Sequence, residues 1–141
     1  MSLDSATLLN ANTKVGDSHE LELVDDLTRT QIVQYAGASG DYNPLHSDNP
    51  FATNIAGYPG VFAHGMLTMG MTGRLVVDLA GPEAVLSYGV RFKVQVWPGD
   101  TLNAKATITD VSDGVASLDI VTTNQRGEEV LAGTATVRIP A

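Results

Sequence analysis

Gly65-Met66-Leu67-Thr68-Met69-Gly70-Met71-Thr72-Gly73-Arg74-Leu75-Val76-Val77-Asp78-Leu79, closed by Gly81-Pro82, is the stretch on which the fold turns. Its apolar residues Met66, Leu67, Met69, Met71, Leu75, Val76 and Leu79 recur at helical spacing, and a Gly-Pro pair ends it as helices commonly end. Few positions around its circumference are polar, so the spacing predicts a buried helix over 65–79. Gly70, Thr72 and Gly73 are small enough to let a sheet approach it closely. After Pro82 the period changes to two. Val85 to Trp97, Thr101 to Val111, Val115 to Thr123 and Glu129 to Ile139 are β-rich runs, separated by Pro98-Gly99-Asp100, Ser112-Asp113-Gly114 and Gln125-Arg126-Gly127. Four consecutive strands predict an antiparallel meander, and an apolar helix set before such a sheet is buried only if the sheet wraps it. The expected class is α+β. Periodicity does not choose among α+β folds.

Upstream, His19 to Val24 alternates as a first strand, and the stretch through about Ala11 is expected to be loose. Thr28 with Gln31 three residues on is a capping box. Ile32, Val33 and Tyr35 give that short helix its apolar stripe, and Gly37 and Gly40 end it. Pro50 to Asn54 reads as one helical turn, followed by a loop through Gly57-Tyr58-Pro59-Gly60.

The short helix delivers the chain to Gly40-Asp41-Tyr42-Asn43-Pro44-Leu45-His46, where a carboxylate, an amide and an imidazole surround a proline. Proline restricts the residue before it to extended backbone, so Asp41 and His46 share a turn that can aim both at one point. Such a pair does acid/base work near neutral pH. The plain structural reading is an Asx turn followed by a packed histidine. A second histidine stands at His64, before Gly65, whose amide falls where the long helix begins and can serve as an oxyanion donor. Taken alone, His64 and Gly65 read equally well as a packed helix start and a tight turn.

Tyr35 to His46 followed by Ala52, together with His64-Gly65-Met66-Leu67 and Tyr88-Gly89-Val90-Arg91-Phe92-Lys93, resembles the signature of the MaoC-like, R-specific hydratase 2 family. Within it the chain is most similar to the HadB-type branch, subunits of mycobacterial (3R)-hydroxyacyl-ACP dehydratases. The resemblance implies a single hot-dog domain over 12–141, a long helix wrapped by a curved antiparallel sheet. It implies reversible hydration of trans-2-enoyl thioesters of CoA or acyl carrier protein, without a cofactor or a metal. Carried over by position, Asp41 and His46 match the catalytic pair, Asn43 the orienting amide and Gly65 the backbone oxyanion donor. His64, Met66, Arg91 and Lys93 are expected to contact substrate. Many relatives place a serine six residues after the His of His-Gly-Met-Leu, and this chain has Gly70 there.

A chain of 141 residues, 43% of them hydrophobic, is long enough to bury one core. Without cysteine it has no disulfide, thiol nucleophile or thiolate metal site. No basic-then-apolar leader and no eighteen-residue apolar run stands in it, so a cytoplasmic protein with no membrane insertion is expected. Sixteen acids against eight bases, net −8, argue against nucleic-acid binding. The same charge repels an acidic carrier protein unless Arg91, Lys93 or Arg74 forms a local cationic patch. Trp97 is expected to cap the core or an interface, and the methionines to fill the core. A homodimer, or a heterodimer with another hot-dog subunit, is expected. An acyl-thioester hydrolase on the same fold and a non-catalytic subunit of a heteromer are the alternatives.

Overall fold

The computed structural model describes residues 8–139. Strand β1 (Ser18–Val24) leads to helix α1 (Arg29–Ser39), and two short helical turns, Pro44–His46 and Phe51–Ile55, precede the long helix α2 (Gly65–Ala80). Strands β2 (Val85–Phe92), β3 (Leu102–Ser112), β4 (Val115–Thr123) and β5 (Glu129–Arg138) follow. All pairings are antiparallel, and the spatial order is β1-β3-β4-β5-β2.

Period-two alternation on β3 and β4 places Leu102, Ala104, Ala106, Ile108, Ala116, Leu118 and Ile120 on one buried face. Against that face lie Leu75, Val76 and Leu79 of α2. The alanines among them give α2 room to lie close to the sheet. At the contact the Thr72 and Thr122 hydroxyls pair at 2.8 Å, each fully buried, so neither is left unsatisfied. Tyr88 closes the β2 side by donating its hydroxyl to the Met69 carbonyl at 2.7 Å, and burial pushes its pKa up to about 12.

The capping box forms as the sequence predicts. Thr28 Oγ1 accepts from the Gln31 amide at 3.1 Å, and Gln31 Oε1 accepts from the Thr28 amide at 2.9 Å. Gly40, at φ 76°, ends α1 in the left-handed conformation that a glycine adopts without strain. Thr28→Ala should therefore lower unfolding free energy by about 1 kcal/mol, read as a lower urea midpoint at unchanged slope.

Four expectations need correction. The last four strands are not a simple meander: β3-β4-β5 is one, but β2 pairs with β5 at the far edge. Alternation fixes which face a residue takes and is blind to which neighbour a strand joins. Second, β2 ends at Phe92 and not at Trp97. Lys93 makes one more bond, to the Val130 carbonyl at 2.9 Å, and then the Val96 carbonyl turns to accept from the Ala63 amide at 2.8 Å. Residues 93–101 thus leave the ladder and carry the chain past the start of α2.

Third, of the stretch expected to be loose through Ala11, residues 1–7 lie outside the described residues. In the rest, Leu9 is 1% exposed and its amide donates to the Leu79 carbonyl at 2.8 Å. Fourth, α2 is not buried all round. Its inward face carries Thr68, Thr72, Leu75, Val76, Leu79 and Ala80, whereas Met66 (54%) and Val77 (38%) are exposed. Val33 of α1 is exposed as well.

Candidate active site

After Gly40 the backbone passes through two side-chain-capped turns. Asp41 Oδ1 accepts from the Asn43 amide at 3.2 Å, and Asn43 Oδ1 accepts from the Leu45 amide at 3.0 Å. Asn43 is thus the cap of the Pro44–His46 turn, and it orients His46 by fixing the backbone that carries it.

His46 Nδ1 lies 2.6 Å from the Phe62 carbonyl oxygen. A carbonyl only accepts, so Nδ1 carries the proton and neutral His46 presents its lone pair at Nε2. His64 Nε2 stands 3.0 Å from the Asp41 backbone carbonyl, which by the same argument fixes the Nε2–H tautomer. The two imidazoles stack, centroids 3.8 Å apart and planes 25° from parallel. Phe62 meets His46 edge-on at 5.3 Å, and Tyr35 of α1 meets His64 edge-on at 4.8 Å.

Burial holds His46 below the usual histidine value of 6.5. Its bond to Phe62 opposes that, the neighbouring His64 adds to it, and Asp41 raises it again. His46 is therefore predominantly neutral at pH 7. Since folding disfavours its protonation, its contribution to stability is full above pH 6.5 and is lost as pH falls through 6.5 towards the folded value. If neutral His46 is the base, the acid limb of a kcat/KM profile should lie below pH 6.5, and a limb above it would contradict that role.

One ligand-capable atom each from Asp41, His46 and His64 falls within 4.8 Å of the others. Among the described residues no hydrogen bond joins the Asp41 carboxylate to either ring. Two histidines and a carboxylate are also plausible metal donors by type. Their geometry is poor for it, because lone pairs lie in the ring planes and near-parallel stacked rings do not aim them at a common point.

A cavity of about 300 Å³ is bounded by Phe62, Gly65, Thr68, Phe92, Lys93 and Val96 among others; Asp41 and His46 are not among its lining residues, and His46 reaches its wall through Phe62. Gly65 is the first residue of α2, and its amide has no intrahelical acceptor. A Cβ here would lie 3.1 Å from the Phe92 ring, which would have to give way by a few tenths of an ångström.

The structure thus brings Asp41, His46 and Asn43 together, next to His64, the residue before Gly65. It also brings in His64, but 1% exposed and stacked against His46, so it does not offer the substrate-facing surface expected of it. Lys93 bounds the cavity and pairs with Glu129 at 2.6 Å. Arg91, on β2, and Met66 are exposed and are not among the cavity's lining residues. Arg74 donates to the Leu23 carbonyl at 3.1 Å and so ties α2 to β1. Phe62 was not legible: its role is played by a backbone carbonyl, which every residue has.

Residues 10–130 match the family model described as MaoC like domain. The chain belongs to the MaoC-like family. Its relatives include an (R)-specific enoyl-CoA hydratase of Rhodospirillum rubrum, 30% identical over 130 residues that make up 90% of each chain. A 3-hydroxyacyl-thioester dehydratase (Y) of Mycobacterium tuberculosis is 43% identical over 90 residues, 62% of this chain and 31% of that one. This MaoC-like chain therefore spans less than half the length of some of the curated relatives it matches. Among solved structures, the unliganded R-hydratase of Pseudomonas aeruginosa superimposes with a TM-score of 0.83 at 25% identity, over 95% of this chain and 86% of that one. The helix and five-stranded sheet are accordingly the MaoC-like hot-dog fold. Among the described residues, no helix is long and apolar enough to cross a membrane.

Proposed function

We propose that the chain catalyses reversible hydration of trans-2-enoyl thioesters to (3R)-hydroxyacyl thioesters. The observation that carries this is that ligand-capable atoms of Asp41 and His46 lie within 4.8 Å of each other, with His46 bonded to Phe62 at the wall of the cavity that Gly65 also lines. Hydration needs water activated for attack at C3, a proton delivered to C2, and stabilisation of the charge that develops on the thioester oxygen. His46 Nε2 takes a proton from the water while the Asp41 carboxylate accepts a hydrogen bond from the O–H that remains. The hydroxyl adds to C3, and His46 returns its proton to C2, so the elements of one water are added with none left over. The enolate oxygen is held at the Gly65 amide, where the α2 dipole adds positive potential. Water and proton come from one face, which favours syn addition.

Lys93 at the cavity rim, with Arg91 nearby on β2, is the proposed cationic contact for the phosphates of CoA or of a carrier's phosphopantetheine. A second hot-dog subunit, identical or not, is proposed to cover the open face of α2 and the free edge of β2, where Met66, Val77, Leu86 and Phe92 are exposed. Crotonyl-CoA and longer enoyl-CoA thioesters test the reading. Loss of the enoyl absorbance with formation of the 3-hydroxyacyl thioester supports it. Release of free thiol from a saturated acyl-CoA, with no hydration, would replace it by thioester hydrolysis.

A further inference from the structure

His64 is the one group at this site whose chemistry the hydration steps leave unused. It is buried, it caps nothing with its side chain although it immediately precedes α2, and its Nδ1 has no partner among the described residues. An orphaned buried acceptor costs about 1–3 kcal/mol, which a phenylalanine or leucine of similar size would avoid. What histidine adds at this position is an Nε2–H and a flat ring that can carry charge, and both are engaged. The Nε2–H reaches the Asp41 carbonyl, across the α1 exit turn, and the ring face lies on His46. The next residue in the chain is Gly65. Two parts of the proposed machinery, both on the Asp41–His46 turn, therefore meet on the side chain of the residue that precedes the third.

We propose that His64 is a positioning residue that ties the Asp41 backbone to the His46 ring just before the Gly65 amide and helps keep His46 neutral. This rests on the reading of Asp41 and His46 given above. Two effects act together. The hydrogen bond fixes the backbone of Asp41 and so the direction of its carboxylate, and a 1 Å error there is enough to cost about a hundredfold in rate. The stacked ring keeps water off one face of His46, and any charge on His64 opposes charge on His46, consistent with the depression of His46 by burial first and by His64 as well. Of the other titratable groups around His46, Asp41 acts in the opposite sense. Tyr35 lies behind His64, and Asp48 is turned to the Phe51 amide at 3.1 Å.

Two substitutions separate the effects. His64→Gln can keep a donor near the Asp41 carbonyl and removes the ring. His64→Phe keeps the ring and removes the donor. With crotonyl-CoA, each should lower kcat roughly ten- to hundredfold with KM little changed. In His64→Gln the acid limb of kcat/KM, and the His46 titration followed by imidazole NMR, should move to higher pH. In His64→Phe the titration should stay nearer the unmodified value. In the unmodified protein, nitrogen-15 spectra should show His46 protonated at Nδ1 and His64 at Nε2, a measurement that holds even if neither variant folds. An Nδ1–H tautomer for His64, or a folded His64→Gln protein with unchanged kcat and unmoved acid limb, overturns the proposal. If Asp41→Asn and His46→Ala are inactive while both His64 variants behave like the unmodified protein, this inference alone fails. If those two variants retain full activity, the reading beneath it fails.

Discussion

Asp41→Asn should lower the rate of enoyl thioester hydration by at least about a hundredfold, and His46→Ala by as much, while the protein stays folded. The reasoning is local. Asp41 is exposed and uses Oδ1 to accept from the Asn43 amide, a bond that the oxygen of an asparagine can also make, so the turn survives the substitution. What is lost is the negative charge to which the proposed mechanism assigns the orientation of the water. His46 is half-buried, and its removal deletes the Nε2 lone pair, the bond to the Phe62 carbonyl and the ring contacts with His64 and Phe62, none of which belongs to the apolar core around α2. Circular dichroism and the melting temperature should therefore change little while turnover collapses. Removal of both should cost little more than removal of one, because the two groups act on the same water. Wild-type turnover in either folded variant would place the chemistry elsewhere.

The largest effect on stability should come from Gly133→Ala. Gly133 sits on β5 opposite Val90 of β2. A Cβ built there would collide with the Gly89 carbonyl oxygen and would lie 2.8 Å from the Val90 Cα, both backbone atoms that no side-chain rotation can clear. Because β2 is, among the described residues, an edge strand paired with β5 alone, relief requires the whole strand to move away from that partner. The cost should reach about 3 kcal/mol, the upper end for forcing extra volume into a packed site. For a domain of this size that corresponds to a fall in melting temperature of roughly 10 °C. Activity should fall with it, since β2 also carries Phe92, whose ring packs against Gly65 at the cavity wall. A Gly133→Ala protein that melts with the wild type would show that β2 and β5 are not paired as described.

How much of this was legible depended on whether the signal was local. The helix expected over 65–79 spans Gly65–Ala80, and β4 runs from Val115 to Thr123 as expected, because periodicity and flanking glycines are properties of a few adjacent residues. The Thr28–Gln31 box was legible for the same reason. The place of β2 beside β5 was not, since it depends on where residues 93–101 run after leaving the ladder, and that path is set by a bond between Ala63 and Val96 far apart in sequence. At the site, the Asp41 turn followed from Asn43-Pro44, whereas the grip of Phe62 on His46 and the stacking of His64 depend on tertiary approach. The exposure of Met66, Val77 and Val33 has a related cause: an apolar residue advertises burial without saying against what.

Hydration of crotonyl-CoA in deuterium oxide, with the configuration of the product read by NMR, tests most directly whether carboxylate and imidazole act on one water from one side. The account predicts (3R)-hydroxybutyryl-CoA with deuterium at C2 and hydroxyl at C3 delivered to the same face. Anti addition, or the 3S alcohol, would contradict it.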